Sequence, residues 1–367
     1  MKLSDYKNIK YINTQISDFC KIRNGYPFKS NLYSKSGIRV IRISDVQKGS
    51  ISDNDIVFYP LNLKNEFENY LLTEKDILVS LTGNVGRVAM LKISNLPAAL
   101  NQRVAAISTN SNVINKYLYY CISNDTFENQ CYEASTGGAQ KNLSTKWLAN
   151  YVVPIPEIKV QEEIVEILDS FTNLIDALNE ELSLRQKQFE YYREKLLTFE
   201  DNINCIYVNP KRGKRVVKSE LDDKNKHPVY QNSIEALGYY DKVNRRANLT
   251  FVICAGAAGE IGYSYTDFWA ADDCFTIEHD NLLDKYVYYY LYNKKSYLKS
   301  QVRKASVPRL SNSVISKLTF PCPSIAIQKS IVEKLDAFES LISSLKEEIA
   351  LRQKQYEYYR EKLLTFN

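Results

Sequence analysis

The sequence predicts an α+β protein: two mixed α/β globular domains joined by two long helices that form an antiparallel coiled coil with pseudo-two-fold symmetry. Three observations predict this fold. The chain has 367 residues, more than a typical single domain. It contains a near-exact internal repeat, and both copies carry a heptad pattern of apolar residues. We place the domains at residues 1–153 and 201–320, and the helical repeats at 154–200 and 321–367.

The repeat is the clearest feature of the chain. Residues 184–199 and 351–366 are identical at 15 of 16 positions. Ungapped similarity extends back to Pro154 and Pro321, with 30 of 46 positions identical. A Pro-x-Pro sequence opens each copy and no further Gly or Pro follows, which favours a rigid lead-in to a long helix.

Both copies carry a coiled-coil seam. A 4-3-4-3 spacing selects apolar residues over about five heptads, too far for an ordinary amphipathic helix. About 43 helical residues at ~1.5 Å each would span ~64 Å. Antiparallel pairing is the simpler arrangement, because it places the end of the first helix beside the start of the second. The seam residues are Ile164, Leu168, Phe171, Ile175, Leu178 and Leu182, then Ile331, Leu335, Phe338, Ile342, Leu345 and Ile349, with Arg185 and Arg352 as equivalent interruptions.

The two globular segments are more weakly related. Residues 82–86 (TGNVG) and 255–259 (AGAAG) each follow an apolar run, as expected for a strand that enters a tight turn. Residues 115–124 match 284–293 at five of ten positions, and their tyrosines fit core packing better than base stacking. Near-identical helices predict two equivalent partner surfaces, whereas divergent domains predict two different targets.

Charge separates the domains from the helices. Residues 1–152 hold 18 Lys and Arg against 12 Asp and Glu, whereas residues 153–199 hold 5 against 10. Basic domains are typical of nucleic-acid binding, but excesses this small also occur by chance, and from charge alone a solvated basic surface is the favoured interpretation. The candidate DNA-binding residues are Lys21, Arg23, Asn24, Lys29, Asn84, Arg87, Arg103, Gln140, Lys141 and Asn142, then Lys211, Arg212, Lys214, Arg215, Arg303, Lys304 and Arg309.

Other sequence features argue against several classes of protein. Seven scattered cysteines and two histidines offer no zinc-ligand spacing, and no P-loop motif is present. No catalytic constellation stands out, so we expect a non-catalytic chain without its own metal or cofactor. The polar start of the sequence and the lack of an apolar run of ~18 residues predict a cytoplasmic protein.

Together these features resemble the DNA-specificity (S) subunit of type I restriction-modification enzymes. The most specific matches are residues 76–86, 101–103 and 140–144, and the Pro-x-Pro segments that lead to Gln161 and Gln328. The resemblance implies two target-recognition domains that each read half of an asymmetric bipartite site in double-stranded DNA, with the helices as spacer. Ala255 in place of a threonine, and a second domain that lacks the opening Ile16–Phe19 segment of the first, depart from the pattern.

The resemblance also implies partners. Two methyltransferase (M) subunits would bind the helical repeats, and restriction/translocase (R) subunits would join them. S-adenosylmethionine, ATP and Mg would then be bound by those partners. Two alternatives stay open: an orphan specificity subunit without an active nuclease, and a non-catalytic coiled-coil scaffold whose domains bind proteins or sugars. The scaffold would show no salt-dependent affinity for DNA.

Overall fold

The computed structural model describes residues 9–74, 76–110, 112–138, 140–199 and 203–366. The predicted boundary between residues 200 and 201, and Ala139 before the first repeat, lie outside these ranges. The chain forms two compact units: the first joins Met1–Asp176 to Ala350–Asn367, and the second is Ala177–Ile349. Each unit therefore combines one globular domain with parts of both long helices. The predicted α+β class is confirmed.

The first unit contains a mixed domain followed by a long helix. Its strands are β1 (Tyr11–Gln15), β2 (Cys20–Asn24), β3 (Ile38–Ile41), β4 (Val46–Gln47), β5 (Ser50–Ile51), β6 (Phe58–Tyr59), β7 (Ile77–Ser80), β8 (Val88–Met90), β9 (Ala98–Leu100), β10 (Val104–Thr109) and β11 (Val152–Pro156). Its helices are α1 (Ile16–Phe19), α2 (Lys64–Phe67), α3 (Asn115–Ile122), α4 (Asp125–Ala134), α5 (Thr145–Ala149) and the first part of α6 (Ile158–Leu197).

A four-stranded sheet in the order β2-β10-β7-β8 forms the centre of this domain, beside a three-stranded sheet β6-β3-β9 whose β3 and β9 run parallel. Both faces of β7 are covered, which explains its uninterrupted apolar sequence. Ile77 and Val79 pack with Tyr117 and the start of α6, whereas Leu78 packs with Ile41 in a separate cluster.

The second unit repeats this plan. Its strands are β12 (Cys205–Tyr207), β13 (Lys211–Arg212), β14 (His227–Tyr230), β15 (Gly238–Tyr240), β16 (Leu249–Ile253), β17 (Ile261–Ser264), β18 (Trp269–Ala270), β19 (Cys274–Ile277) and β20 (Thr319–Pro321). Its helices are α7 (Asp284–Asn293), α8 (Lys295–Ser300), α9 (Asn312–Ser316) and most of α10 (Ile325–Leu364).

Apart from the β4-β5 hairpin of the first domain, the sheets of the two domains correspond in strand order. The sheet β13-β19-β16-β17 matches β2-β10-β7-β8, and β15-β14-β18 matches β6-β3-β9, including its parallel pair. Strand β12 pairs with β20 as β1 pairs with β11. Within the described residues, no helix between β12 and β13 corresponds to α1. The missing opening segment noted in the sequence thus removes one helix and leaves the sheet intact.

Both long helices begin after their Pro-x-Pro segments. Pro154 and Pro156 lie in strand β11, which pairs with β1 in a separate two-stranded sheet, and α6 starts at Ile158. The sequence-based limit between residues 153 and 154 cuts this strand.

The two long helices run in opposite directions within the first unit. The rings of Tyr11 and Phe366 lie 5.2 Å apart, and the strand partner of Tyr11 is Pro156, just before α6. Further along α6, Phe171 stacks on Tyr359 of α10 at 5.1 Å. The end of α10 therefore lies beside the start of α6.

In the second unit, Phe338 of α10 stacks on Tyr192 of α6 at 5.5 Å and lies 6.3 Å from Phe189. Six of the predicted seam residues are buried and the other six are half-buried. This burial is what a coiled-coil seam requires. Arg185 and Arg352 are half-buried and donate to glutamine side chains one turn further along.

A buried glutamine joins α6 to the first domain. The side chain of Gln161 is fully buried, its Oε1 accepts from the Ile114 N–H at 2.9 Å, and its Nε2 donates to the Pro156 carbonyl at 2.9 Å. Two turns later, the Asp169 carboxylate accepts from the Tyr120 hydroxyl at 2.6 Å. These bonds fix the first turns of α6 on the domain core.

The same junction recurs in the second unit. Gln328 is fully buried, accepts from the Leu283 N–H at 2.8 Å and donates to the Pro323 carbonyl at 2.9 Å. Tyr289 donates to Asp336 at 2.5 Å. The tyrosines of α3 and α7 that were predicted to be core residues are buried at Tyr117, Tyr286 and Tyr289.

Candidate nucleic-acid interface

Two sequence motifs meet in the first domain. The turn at residues 82–86 lies against residues 136–142, and we call these segments, residue 139 excepted, the first loop pair. The Gly83 N–H donates to the Lys141 carbonyl at 2.9 Å, and the Leu143 N–H donates to the Leu81 carbonyl at 2.7 Å. Thr136 and Asn142 exchange two backbone hydrogen bonds at 3.0 and 2.8 Å.

The second domain forms an equivalent arrangement from residues 255–259 and 303–309, the second loop pair. The Gly256 N–H donates to the Pro308 carbonyl at 3.2 Å, and the Leu310 N–H donates to the Cys254 carbonyl at 2.8 Å. Arg303 and Arg309 exchange two backbone bonds at 2.8 and 3.2 Å. The four backbone bonds of the first loop pair are therefore all present in the second.

Glycine is required in both turns. Gly83 and Gly86 have φ of 70° and 81°, and Gly256 and Gly259 have φ of 80° and 84°, in the left-handed region. A Cβ on Gly86 would lie 2.6 Å from the Cβ of Cys131 in α4. The turn can approach the helix only because this side chain is absent.

The side chains of the two loop pairs differ in chemistry. The first pair exposes the amides Asn84, Gln140 and Asn142. The second pair carries Ala257 and Val307 at the first two of these positions and exposes Arg303, Lys304 and Arg309. Amides and guanidinium groups both make paired hydrogen bonds to base edges, with adenine and guanine respectively.

The basic opening strands are also equivalent. Asn24 of β2 pairs with β10 at the position where Arg212 of β13 pairs with β19. The following residues, Gly25 and Gly213, each pass close to neighbouring backbone, since an added Cβ would lie within 2.2 Å of a carbonyl oxygen. The absence of a side chain at these glycines therefore allows both opening strands to lie against the same part of the sheet.

Arg212 lies close to the second loop pair. Its Nε donates to the Asp272 carbonyl at 2.7 Å. Burial and the nearby Asp273 raise the pKa of the Cys254 thiol to about 11, and the positive charges of Arg212 and Arg309 limit that rise. Two guanidinium groups from distant parts of the sequence thus lie near one thiol at this edge of the domain.

Some candidate residues are engaged inside the protein. Arg23 forms an ion pair with Asp76 at 2.6 Å and donates to the Leu71 carbonyl at 3.0 Å. Arg87 donates to Gln47 at 2.7 Å. Both side chains therefore have a structural role at these positions.

The remaining candidates reach solvent to different extents. Lys141 is half-buried with its Nζ 5.0 Å from the Tyr132 ring centroid, and Lys211 pairs with Glu278 at 3.7 Å. All the others are exposed: Lys21, Asn24, Lys29, Asn84, Arg103, Gln140, Asn142, Arg212, Lys214, Arg215, Arg303, Lys304 and Arg309. Contact of these residues with DNA stays a prediction.

Sequence reasoning missed Thr82. Its hydroxyl donates to Oδ1 of Asn142 at 2.9 Å, although 60 residues separate the two in the chain. A comparison of the two related domains offers a signal for this contact. The second domain replaces both partners, with Ala255 at the threonine position and Arg309 at the asparagine position.

A groove of about 1320 Å³ in the first unit is the alternative site. It lies between α3, α4, α6 and the last turns of α10, and two of its lysines pair with carboxylates. Lys48 contacts Asp125 at 2.9 Å and Glu128 at 2.8 Å, and Lys116 contacts Asp169 at 2.7 Å. These paired lysines are therefore less available to bind phosphate groups.

Within the described ranges of the chain, no helix is both long and apolar enough to cross a membrane. The same residues form no cluster of three or more His, Cys, Asp or Glu side chains suited to a metal ion.

The fold defines a protein of two related mixed α/β domains, each followed by a long helix. The chain belongs to the type I restriction-modification DNA specificity domain family, whose sequence profile matches residues 8–184 and 205–351. Its role is DNA recognition within a type I restriction-modification system.

Relatives of known type support this assignment. The chain is 28% identical over 298 residues to the specificity subunit of the Escherichia coli type I restriction enzyme EcoR124I/EcoR124II, which covers 68% of this chain and 70% of that protein. It is 28% identical over 359 residues to S.HindORF215P, a proposed type I restriction enzyme specificity subunit of Haemophilus influenzae. The match covers 86% of this chain and 89% of that protein. The type I S subunit from M. genitalium has a similar fold, with a TM-score of 0.68 at 16% identity, covering 98% and 97% of the two chains.

Proposed function

We propose that this chain reads an asymmetric bipartite DNA site, one half with each globular domain, and carries two copies of one methyltransferase subunit on its long helices. The chain itself performs no catalysis in this proposal. S-adenosylmethionine, and ATP with Mg for restriction, are bound by the methyltransferase and by restriction/translocase subunits. The whole complex works on chromosomal and incoming DNA in the cytoplasm.

The proposal depends on a comparison of the exposed residues in the two copies of the duplicated helical segment. Within the 16-residue duplicated segment, eight positions are exposed in both copies, and all eight are identical. In the first copy they are Leu184, Gln186, Lys187, Glu190, Tyr191, Glu194, Lys195 and Thr198. Packing against a core does not constrain exposed positions, so their identity supports a shared partner that binds both copies.

The apolar members of this surface support the same conclusion. Leu184 and its counterpart Leu351 are 58% and 62% exposed, and Tyr191 and Tyr358 are 57% and 53% exposed. Large apolar side chains exposed at matched positions are typical of surfaces that a partner covers. The loop pairs behave in the opposite way, because equivalent exposed positions differ between the domains. This contrast supports one kind of protein partner and two different half-sites.

The partner surface is tested by co-purification from cells that express the chain with the methyltransferase subunit of its own system. Tyr191→Ala and Tyr358→Ala should each remove one methyltransferase copy, and the double variant should remove both, as measured by native mass spectrometry. Tyr297→Ala is the control, since this tyrosine is 46% exposed and lies outside the repeats. Two retained copies in the double variant would contradict the proposed surface.

DNA recognition is tested by the salt dependence of binding of the purified complex to duplex DNA. Release of counterions by several phosphate contacts should lower the affinity by ~10³-fold or more between 50 and 200 mM salt. A complex with no salt-dependent affinity for DNA would favour the scaffold alternative.

A further inference from the structure

The exposed amide of Asn142 is held in one orientation. Its backbone is fixed by two hydrogen bonds to Thr136, at 2.8 and 3.0 Å, and its Oδ1 accepts from the hydroxyl of the buried Thr82 at 2.9 Å. Exposed side chains usually keep their rotamer freedom, which binding must then remove. A fixed, outward-facing amide is already in place for a ligand.

The hydrogen bond from Thr82 is not needed to hold the loops together. The second loop pair has the same four backbone bonds, although Ala255 stands at the threonine position and has no hydroxyl. At the asparagine position the second domain carries Arg309, which is exposed and forms no ion pair within the described part of the chain. Hydroxyl and amide are therefore present together in one domain and replaced together in the other.

We propose that Asn142 and Arg309 are the equivalent base-reading residues of the two domains, that Asn142 reads an adenine and Arg309 a guanine, and that Thr82 is a positioning residue for Asn142. This inference rests on the proposed function, because it assumes that each domain reads one half of a DNA site.

The donor and acceptor pattern of each side chain fits its base. A carboxamide oxygen has two lone pairs, so Oδ1 of Asn142 can accept from Thr82 and from the adenine N6 amino group together. Its Nδ2 then donates to adenine N7 in the major groove. A guanidinium group donates to O6 and N7 of guanine in two parallel bonds and needs no orienting hydroxyl, because its planar fork is already rigid.

Selection from a randomised double-stranded DNA library tests the inference, with the full chain in complex with the methyltransferase subunit of its own system. Asn142→Ala should lower discrimination at one A·T pair in one half-site by about 5- to 150-fold. Thr82→Val should weaken discrimination at the same base pair by less, and Thr82→Ser should restore it. The base preferences in the other half-site should stay unchanged in all three variants.

One variant of Arg309 and one control variant in the same loop test the second assignment. Arg309→Lys keeps the charge but loses the two parallel bonds, so it should lose guanine preference in the other half-site with overall salt dependence retained. Lys304→Gln is the control in the same loop. It should lower affinity uniformly, reduce the salt slope by ~1 and leave the selected motif unchanged.

The outcomes separate the inference from the function on which it rests. An unchanged motif with Asn142→Ala overturns the assignment of Asn142. An unchanged motif with Arg309→Lys overturns the assignment of Arg309 as a base-reading residue. Full specificity in Thr82→Val overturns the positioning role. A wild-type complex that selects no bipartite motif overturns the proposed function itself.

Discussion

Replacing Gln161 with leucine should destabilise the first unit far more than a surface change of the same kind. The side chain is fully buried, and its amide is the hydrogen-bond partner of the Ile114 N–H and the Pro156 carbonyl. Leucine has nearly the same volume but can neither accept nor donate. The variant therefore leaves two backbone groups without partners at the junction between the domain and α6.

The magnitude follows from those two groups. A buried polar group left without its partner costs ~1–3 kcal/mol, so two of them cost ~2–6 kcal/mol. Burying the added apolar surface of leucine recovers ~1–2 kcal/mol. From the centres of these two ranges, we expect the free energy of unfolding to fall by ~2.5 kcal/mol, a large part of the stability of a typical domain.

Each unit contains one tryptophan, which allows the effect to be localised. Trp147 lies in the first unit, 5.4 Å from the Tyr151 ring, and Trp269 lies in the second. Urea unfolding followed by tryptophan fluorescence in a Trp269→Phe background reports on the first unit. Gln353→Leu is the matched control, because Gln353 is an exposed glutamine of the same unit and its loss should cost under ~0.5 kcal/mol. Equal stabilities of the two variants would refute the role given to Gln161.

Three further predictions follow from the fold. Burial and a hydrogen bond to a carboxylate raise the pKa of Tyr120 and of Tyr289 well above the ordinary value of 10.0, so their stabilising effect is complete below pH ~10 and is lost as the pH rises further. The difference in absorbance at 295 nm between the wild type and a Tyr120→Phe, Tyr289→Phe variant should show these two ionising only with unfolding, and a smooth difference titration in the folded protein would contradict this. Gly86→Ala should lower the melting temperature by several degrees whereas Gly138→Ala should not, because only the first introduces a clash and a strained φ. Inserting one heptad into each long helix should lengthen the DNA spacer by ~3 base pairs, since seven residues add ~10.5 Å, and an unchanged spacer in the methylated motif would refute a spacer role.

The order of domains and long helices along the chain could be predicted from the sequence because the helical segment is duplicated. The constant offset between the repeats identified both helices, and the apolar periodicity identified their contact faces. The equivalence of the turns at Gly83 and Gly256 was detectable because each needs a glycine at a left-handed position. Periodic patterns and backbone requirements of this kind depend on local physics, which a single sequence records.

Side-chain partners that depend on the three-dimensional arrangement could not be predicted in this way. Arg23 was a candidate for DNA binding, yet Asp76, 53 residues away, holds its guanidinium group. Thr82 was not singled out, because its role depends on a contact with Asn142 across two loops. Both contacts are set by strand order in the sheet, which residue types alone do not specify.

The most direct test of the central claim is the methylome of cells that express this chain with the methyltransferase subunit of its own system, before and after residues 203–320 are exchanged for the second domain of another specificity subunit. We expect an asymmetric bipartite motif with N6-methyladenine in both halves, of which only one half changes after the exchange. A motif in which both halves change, or the absence of any bipartite motif in the wild type, would contradict it.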